Sequence, residues 1–143
     1  MIAAEPQQLR ALLAQFPESE FAASQEAAFE ALRYRSQFNI IDFATLWKID
    51  FIFRQPTPFD ASRFQRREIV EIAGVRMQTA SAEDILLTKL WWAKLGESER
   101  QINDAAGIIQ VQGPNLDIDY VERWVAALEL DEQWKKAHQR AAD

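Results

Sequence analysis

Hydrophobic spacing constrains this chain more than any single motif does, because it changes period part-way along. Between Phe38 and Phe53 the apolar residues form two short blocks, "FNIID" (Phe38 to Asp42) and "LWKIDFIF" (Leu46 to Phe53). Alternation puts Trp47, Ile49, Phe51 and Phe53 on one face and Leu46, Lys48, Asp50 and Ile52 on the other. Phe43, Ala44 and Thr45 between the blocks are short enough for an antiparallel hairpin. From Ser81 onward the apolar residues recur at helical spacing. "SAED" reads as a capping box, with Ser81 at the N-cap and Asp84 three residues on. This helix runs to about Leu95, with Gly96 as its stop. A further helix covers roughly Ser98 to Val111, "QGPN" breaks the chain, and "LDIDYVERWVAAL" and "DEQWKKAHQRAA" supply two more.

The leading segment is also helical. Glu5-Pro6 opens a helix with Leu9, Leu12, Leu13 and Phe16 on its buried stripe, and Pro17 ends it. A second runs from Ser24 to about Tyr34, burying Ala28, Phe29 and Leu32. "RQPTP" breaks the second strand, and "FDASRFQRR" makes a short helix or turn that Phe59 and Phe64 tack down. "EIVEIAGVRMQTA" forms another hairpin turning at Ala73-Gly74. The fold class is therefore α+β. The 143 residues make one domain, with sheet and helices over 1–80 and a helical half over 81–143.

Composition narrows the setting. The chain has no cysteine, which excludes disulfides and thiolate metal sites and points to a reducing cytoplasm. Its N-terminus lacks the pattern of a signal peptide, and no window is long and apolar enough for a membrane span. A net charge of -6 argues against nucleic acid as a partner. The basic run "RFQRR", Arg63 to Arg67, reads as a solvated helix end, with a local basic patch as the competing reading.

Three places could carry chemistry. Asp50 is a carboxylate in an apolar strand, which demands a partner, a cation or an open face. On the plain reading its face is open to water beside Lys48. A four-residue loop would set Asn39 opposite it, making a polar patch of Asn39, Lys48 and Asp50. Lys89 lies among Ile85, Leu86, Leu90 and Ala93, and either snorkels outward or reaches a carboxylate or phosphate. Arg100 and Asp104 share a helical face, where a surface ion pair is the plain account. Asp117 and Asp119 fit the cap and first turn of a helix. His138 is the single histidine, so His-based metal sites and Ser-His triads lack parts. None of the four glycines builds a phosphate-cradling loop, and the five tryptophans read as packing.

The run "TASAEDILLTKLWWAKLGESERQINDAAGIIQVQGPNLDIDYVERWVAALEL", with "RYRSQFNIID" and "WKIDFI" before it, resembles small bacterial proteins of the nucleotidyltransferase superfamily. The nearest group is related to abortive-infection and toxin–antitoxin nucleotidyltransferases, and the similarity spans Ile2 to about Arg140. The resemblance implies a truncated nucleotidyltransferase-like mixed sheet with flanking helices, followed by a helical half. It assigns Asp50 to the third metal-binding carboxylate, which would help hold Mg2+ against a nucleoside triphosphate. Lys89 matches a family lysine facing the phosphates, with Arg100 a further candidate there, and Asp104 matches an acidic position on the next helix. Where the toxins often carry a second Asp, this chain has Gly107. The family's Gly-Ser turn and Asp-x-Asp strand are missing, and the segment from Met1 resembles the part of the family directly after that strand.

That pattern implies a nucleotidyltransferase-like chain that is catalytically incomplete as it stands, as one half of a toxin–antitoxin or defence system. Two alternatives stay open: an active Mg2+-dependent enzyme whose first motif lies upstream of Met1, and a protein-interaction module. Leading strands that are absent leave strand edges uncovered, so a homodimer or a covering partner is expected.

Overall fold

The computed structural model describes residues 1–142. They form an α+β structure in two compact units, Met1–Ala61 and Ser62–Asp143. The boundary falls inside a short helix, earlier than the change of hydrophobic period. The second hairpin therefore belongs with the helical unit and not with the sheet half.

The first unit opens with helix α1 (Pro6–Leu13), where Gln8 Oε1 accepts the Glu5 N–H at 2.8 Å. Strand β1 (Phe21–Ala22) comes next, a two-residue strand too short to leave a periodic signal. Helix α2 (Gln25–Tyr34) starts at Ser24, whose hydroxyl accepts the Ala27 N–H at 3.2 Å. It ends with Arg35 in the left-handed region at φ 49°. Strands β2 (Gln37–Asp42) and β3 (Lys48–Ile52) then pair antiparallel, in the sheet order β1-β2-β3. The register sets Ile40 opposite Ile49 and Asn39 opposite Asp50, as the four-residue loop requires.

That loop has its own chemistry. The Asp42 carboxylate accepts the Ala44 N–H at 2.9 Å and the Thr45 hydroxyl at 2.6 Å. These bonds hold its carboxyl below the usual aspartate range, the Thr45 bond most of all. Leu46 closes the loop at φ 59°, a conformation that costs an L-residue about 1–2 kcal/mol.

The core of this unit lies on one side of the sheet. Leu9, Leu13, Ala28 and Ala31 from the helices pack on Phe38, Ile40 and Phe53. The Phe38 and Phe51 rings stack with centroids 4.9 Å apart. Phe16 stands edge-on to Phe21 at 5.1 Å. Ahead of α1, Ile2 joins the outer edge of β3 as a parallel bridge to Phe53.

Helix α3 (Pro58–Gln65) carries the chain into the second unit. Strands β4 (Glu68–Ile72) and β5 (Val75–Thr79) form a two-stranded hairpin. Its turn places Ala73 at φ 51° and Gly74 at φ 79°, the signs a type I′ turn needs. Helices α4 (Ala82–Gly96), α5 (Glu99–Gln112), α6 (Ile118–Ala127) and α7 (Asp131–Ala142) complete the unit, with a 3₁₀ turn (Gly113–Asn115) before α6. Leu86, Leu87, Leu90, Ile102, Ala105, Val121, Val125, Leu130 and Ala137 are buried. Helix α4 does end at Gly96, but the left-handed residue that terminates it is Glu97, at φ 47°. No helix among the described residues is long and apolar enough to cross a membrane.

Ile40 is fully buried, whereas Leu46 is 76% exposed and held at positive φ. Ile40→Ala is expected to lower the unfolding free energy by about 2–5 kcal/mol. Leu46→Gly is expected to raise it by about 0.5–1 kcal/mol by removing the left-handed strain. Urea titrations followed by circular dichroism check both signs.

Candidate functional site

The three candidate places lie in different units. Asp50 belongs to the first, while Lys89, Arg100 and Asp104 belong to the second.

Asp50 sits on the bare face of the sheet. Alternation sends Phe51 and Phe53 toward the helices and leaves Lys48, Asp50 and Asn39 facing away from them. Asp50 is exposed, and Lys48 Nζ lies 3.1 Å from its Oδ1. The expected polar patch therefore exists, and it is open to water. That resolves how an apolar strand carries a carboxylate: the side chain keeps access to water and has a cation beside it. As a Mg2+ site the patch offers one carboxylate with an ammonium against it. Magnesium prefers one or two carboxylates with phosphate oxygens and waters, and Lys48 would repel the dication. The residues at this locus do not fit that ion. Among the described residues no group of three or more His, Cys, Asp or Glu side chains could hold a metal.

Lys89 and Asp104 meet. Lys89 Nζ donates to Asp104 Oδ2 at 2.8 Å, tying α4 to α5. The bond from Lys89 is the main reason the Asp104 carboxyl sits below the usual range, and Arg100 one turn earlier adds a weaker attraction. The partner of Asp104 is thus Lys89 across the helix pair, in place of the i,i+4 partner Arg100 that spacing suggests. Lys89 is half-buried and Arg100 is exposed. A phosphate approaching Lys89 would meet the Asp104 carboxylate beside the ammonium.

The most constrained polar cluster in the second unit was not a candidate from sequence. Asp84, 1% exposed, accepts the Tyr120 hydroxyl at 2.7 Å and the Ser81 hydroxyl at 3.2 Å. Arg66 Nε lies 3.5 Å from Asp84 Oδ2, and Arg66 Nη2 donates to Glu83 Oε2 at 3.1 Å. The Arg66 guanidinium also lies 3.8 Å from the centre of the Tyr120 ring, a cation–π distance. Ser62 Oγ and Tyr120 Oη are 3.1 Å apart. Glu83 Oε1 accepts the Asp117 N–H at 3.2 Å, and Asp117 in turn caps α6 by accepting the Tyr120 N–H.

This cluster corrects two expectations. The Ser81 hydroxyl does cap α4, accepting the Asp84 N–H at 3.3 Å, but the Asp84 carboxylate turns inward to Tyr120. The "RFQRR" run is not a solvated helix end. Arg63 donates to Thr88 Oγ1 at 2.8 Å, Arg66 serves the buried carboxylates, and Arg67 lies over the Phe64 ring. One signal in the sequence could have shown this: three arginines in five residues, in a chain with two adjacent acids at a helix start.

Burial works to raise the Glu83 carboxyl, but Ser81, the Asp117 N–H and the Arg66 charge outweigh it and hold it below the usual range. Burial raises the Tyr120 phenol above its ordinary value, and Asp84 adds to the rise against the lowering bond from Ser62. The arrangement fixes the junction of α3, α4 and α6. No protein-family model, curated protein or solved structure matches the chain.

Arg66→Met leaves Asp84 buried without its cation and is expected to cost about 3–5 kcal/mol. Tyr120→Phe, which removes one donor, is expected to cost about 1–2 kcal/mol. Thermal or urea unfolding of each variant measures both. The pH dependence comes from Glu83. Its folded pKa is depressed, so its contribution is full above the unfolded value and is lost as pH falls through the folded one. Stability should therefore decline on the acid side, and a milder variant, Glu83→Gln, should flatten that decline in midpoints measured from pH 7 downward.

Proposed function

We propose that this chain is a nucleotidyltransferase-like protein that does not transfer nucleotides by itself and acts through another protein, as one half of a toxin–antitoxin or defence pair. The resemblance, carried by "SAEDILLTKL" and "ERQINDAAGIIQVQG", suggests the family. The setting of Asp50 supports the lack of catalysis: the one strand carboxylate that the resemblance assigns to metal already faces Lys48 at 3.1 Å. Phosphoryl-type transfer is carried by positioned cations and positive side chains around the phosphates. Here the positive groups are engaged, Lys48 with Asp50 and Lys89 with Asp104. A nucleoside triphosphate at either locus would meet a lysine already paired with a carboxylate, at a cost to its own binding.

The reading as an interaction module is favoured by a separate observation. The hairpin of β2 and β3 exposes Phe43, Leu46, Trp47 and Ile49, an apolar set gathered on one element.

Isothermal titration with ATP or GTP and Mg2+ tests the proposal. The expected outcome is no micromolar binding, and an Asp50→Ala protein that behaves as the parent does. Micromolar binding that disappears in Asp50→Ala would overturn it in favour of an active Mg2+-dependent nucleotidyltransferase.

A further inference from the structure

We infer that the outer edge of β3 is a self-recognition strand, pairing antiparallel with β3 of a second copy about a two-fold axis at Ile49. Such pairing does not depend on nucleotide chemistry.

The backbone groups of β3 point in two directions. The odd-numbered residues of this strand bond inward to β2. Asp42 N–H donates to the Trp47 carbonyl at 2.9 Å, and Phe53 N–H donates to the Ser36 carbonyl at 2.9 Å. The even-numbered residues turn outward. The Ile52 carbonyl accepts the Ile2 N–H at 2.8 Å, and Arg54 N–H donates to the Ile2 carbonyl at 2.9 Å. Ile2 thus closes one end of the edge, and the turn from Phe43 to Leu46 closes the other. Between them, Lys48 and Asp50 direct N–H and C=O away from β2, on a strand that stands last in the sheet.

A second copy of the same strand fits this edge. Antiparallel and centred on Ile49, it sets Lys48 opposite Asp50 of the other copy and Asp50 opposite its Lys48. Both residues point their backbone groups outward, so these two pairs are the hydrogen-bonded ones, and Ile49 meets Ile49 as the non-bonded pair. The same register places the two opposite-charge pairs on the bare face. On the other face, Ile49 meets its equivalent and Trp47 meets Phe51. Trp47 is 77% and Ile49 is 46% exposed in the single chain, and this contact covers them. Centring the axis on Lys48 would oppose two ammoniums, and centring it on Asp50 would oppose two carboxylates. The charge order Lys-Ile-Asp therefore selects one two-fold register out of three, and an isologous contact needs that self-complementarity.

Sedimentation of the full chain across the micromolar range tests this. The parent should show a monomer–dimer equilibrium. Lys48→Asp or Asp50→Lys alone turns both cross-strand pairs repulsive and should weaken the dimer on the order of tenfold or more. The double reversal, Lys48→Asp with Asp50→Lys, restores opposite charges and should restore dimerisation. Circular dichroism checks that each variant stays folded, since both side chains are exposed. The absence of native cysteine allows a second, independent arm. Ile49→Cys should form a disulfide dimer on mild oxidation, because non-bonded antiparallel pairs bring Cα atoms within disulfide range. Trp47→Cys, which faces Phe51 and not itself, should not. A parent that stays monomeric overturns the inference. So does a dimer indifferent to the single reversals, a double reversal that fails to restore it, or equal crosslinking at positions 47 and 49. Nucleotide binding would overturn the previous proposal and leave this one standing.

Discussion

Alternation sends Phe38, Ile40, Phe51 and Phe53 to one side of β2 and β3, and the core formed with α1 and α2 lies on that side. A three-stranded sheet covered on one face has enough apolar burial to be stable, but it leaves a polar face and an edge to the solvent. The consequences reach every candidate residue in the first unit. Asp50 is tolerated because it stands on the uncovered face. Lys48 can pair with it there while both side chains keep contact with water. The aromatic run that helps to build the core at Phe51 and Phe53 continues to Trp47, past the part of the sheet that the helices cover. Covering one face thus produces the water-facing carboxylate and the exposed tryptophan together.

The second unit answers the opposite problem. Asp84 is buried, and a buried carboxylate left unpaired would be untenable. Its neighbours are drawn from three distant stretches: Ser62 and Arg66, the helix start at Ser81 and Glu83, and Tyr120 with Asp117. Cation, phenol and hydroxyl converge on two carboxylates, and Arg66 also stacks on the Tyr120 ring. Removing one partner from such a network leaves a buried charge uncompensated, which is costly. Here the network joins residues of α3, α4 and α6. Lys89 and Asp104 do a related task at the surface, between α4 and α5.

Much of this was legible in the residues. Helix starts at Glu5-Pro6, Ser24 and Ser81, the Ala73-Gly74 turn and the Asn39–Asp50 register arise from local chemistry that acts within a few residues. Strand β1 was not legible, since two residues carry no period. Glu97 could not be foreseen as the left-handed residue beside a glycine, because Gly96 completes the helix and the terminus shifts by one. The destination of Arg66 was hidden for a different reason. Charge pattern suggests solvent for a basic run, and only the fold brings Glu83, Asp84 and Tyr120 to it. Lys89 had two readings by spacing. Its neighbours on α4 fixed its face, but Asp104 on the next helix decided its partner.

An exposed strand edge is a hazard, and proteins commonly place a lysine on it to deter indiscriminate pairing. Lys48 has that effect toward any apolar or basic strand. Asp50 changes the outcome for one class of partner. With both charges on the same face two residues apart, an incoming strand is accepted only when it carries the opposite order in register. An antiparallel copy of the same strand carries that order by symmetry, whereas a parallel copy in register sets lysine beside lysine. The hairpin of β4 and β5 offers the contrast. Ile72, Val75 and Met77 are exposed there as well, and the register sets Glu71 opposite Arg76 within the chain. There the opposite charges stand across two strands of one chain, whereas Lys48 and Asp50, paired with each other at 3.1 Å in the single chain, lie along one edge strand and can re-pair with an outside strand.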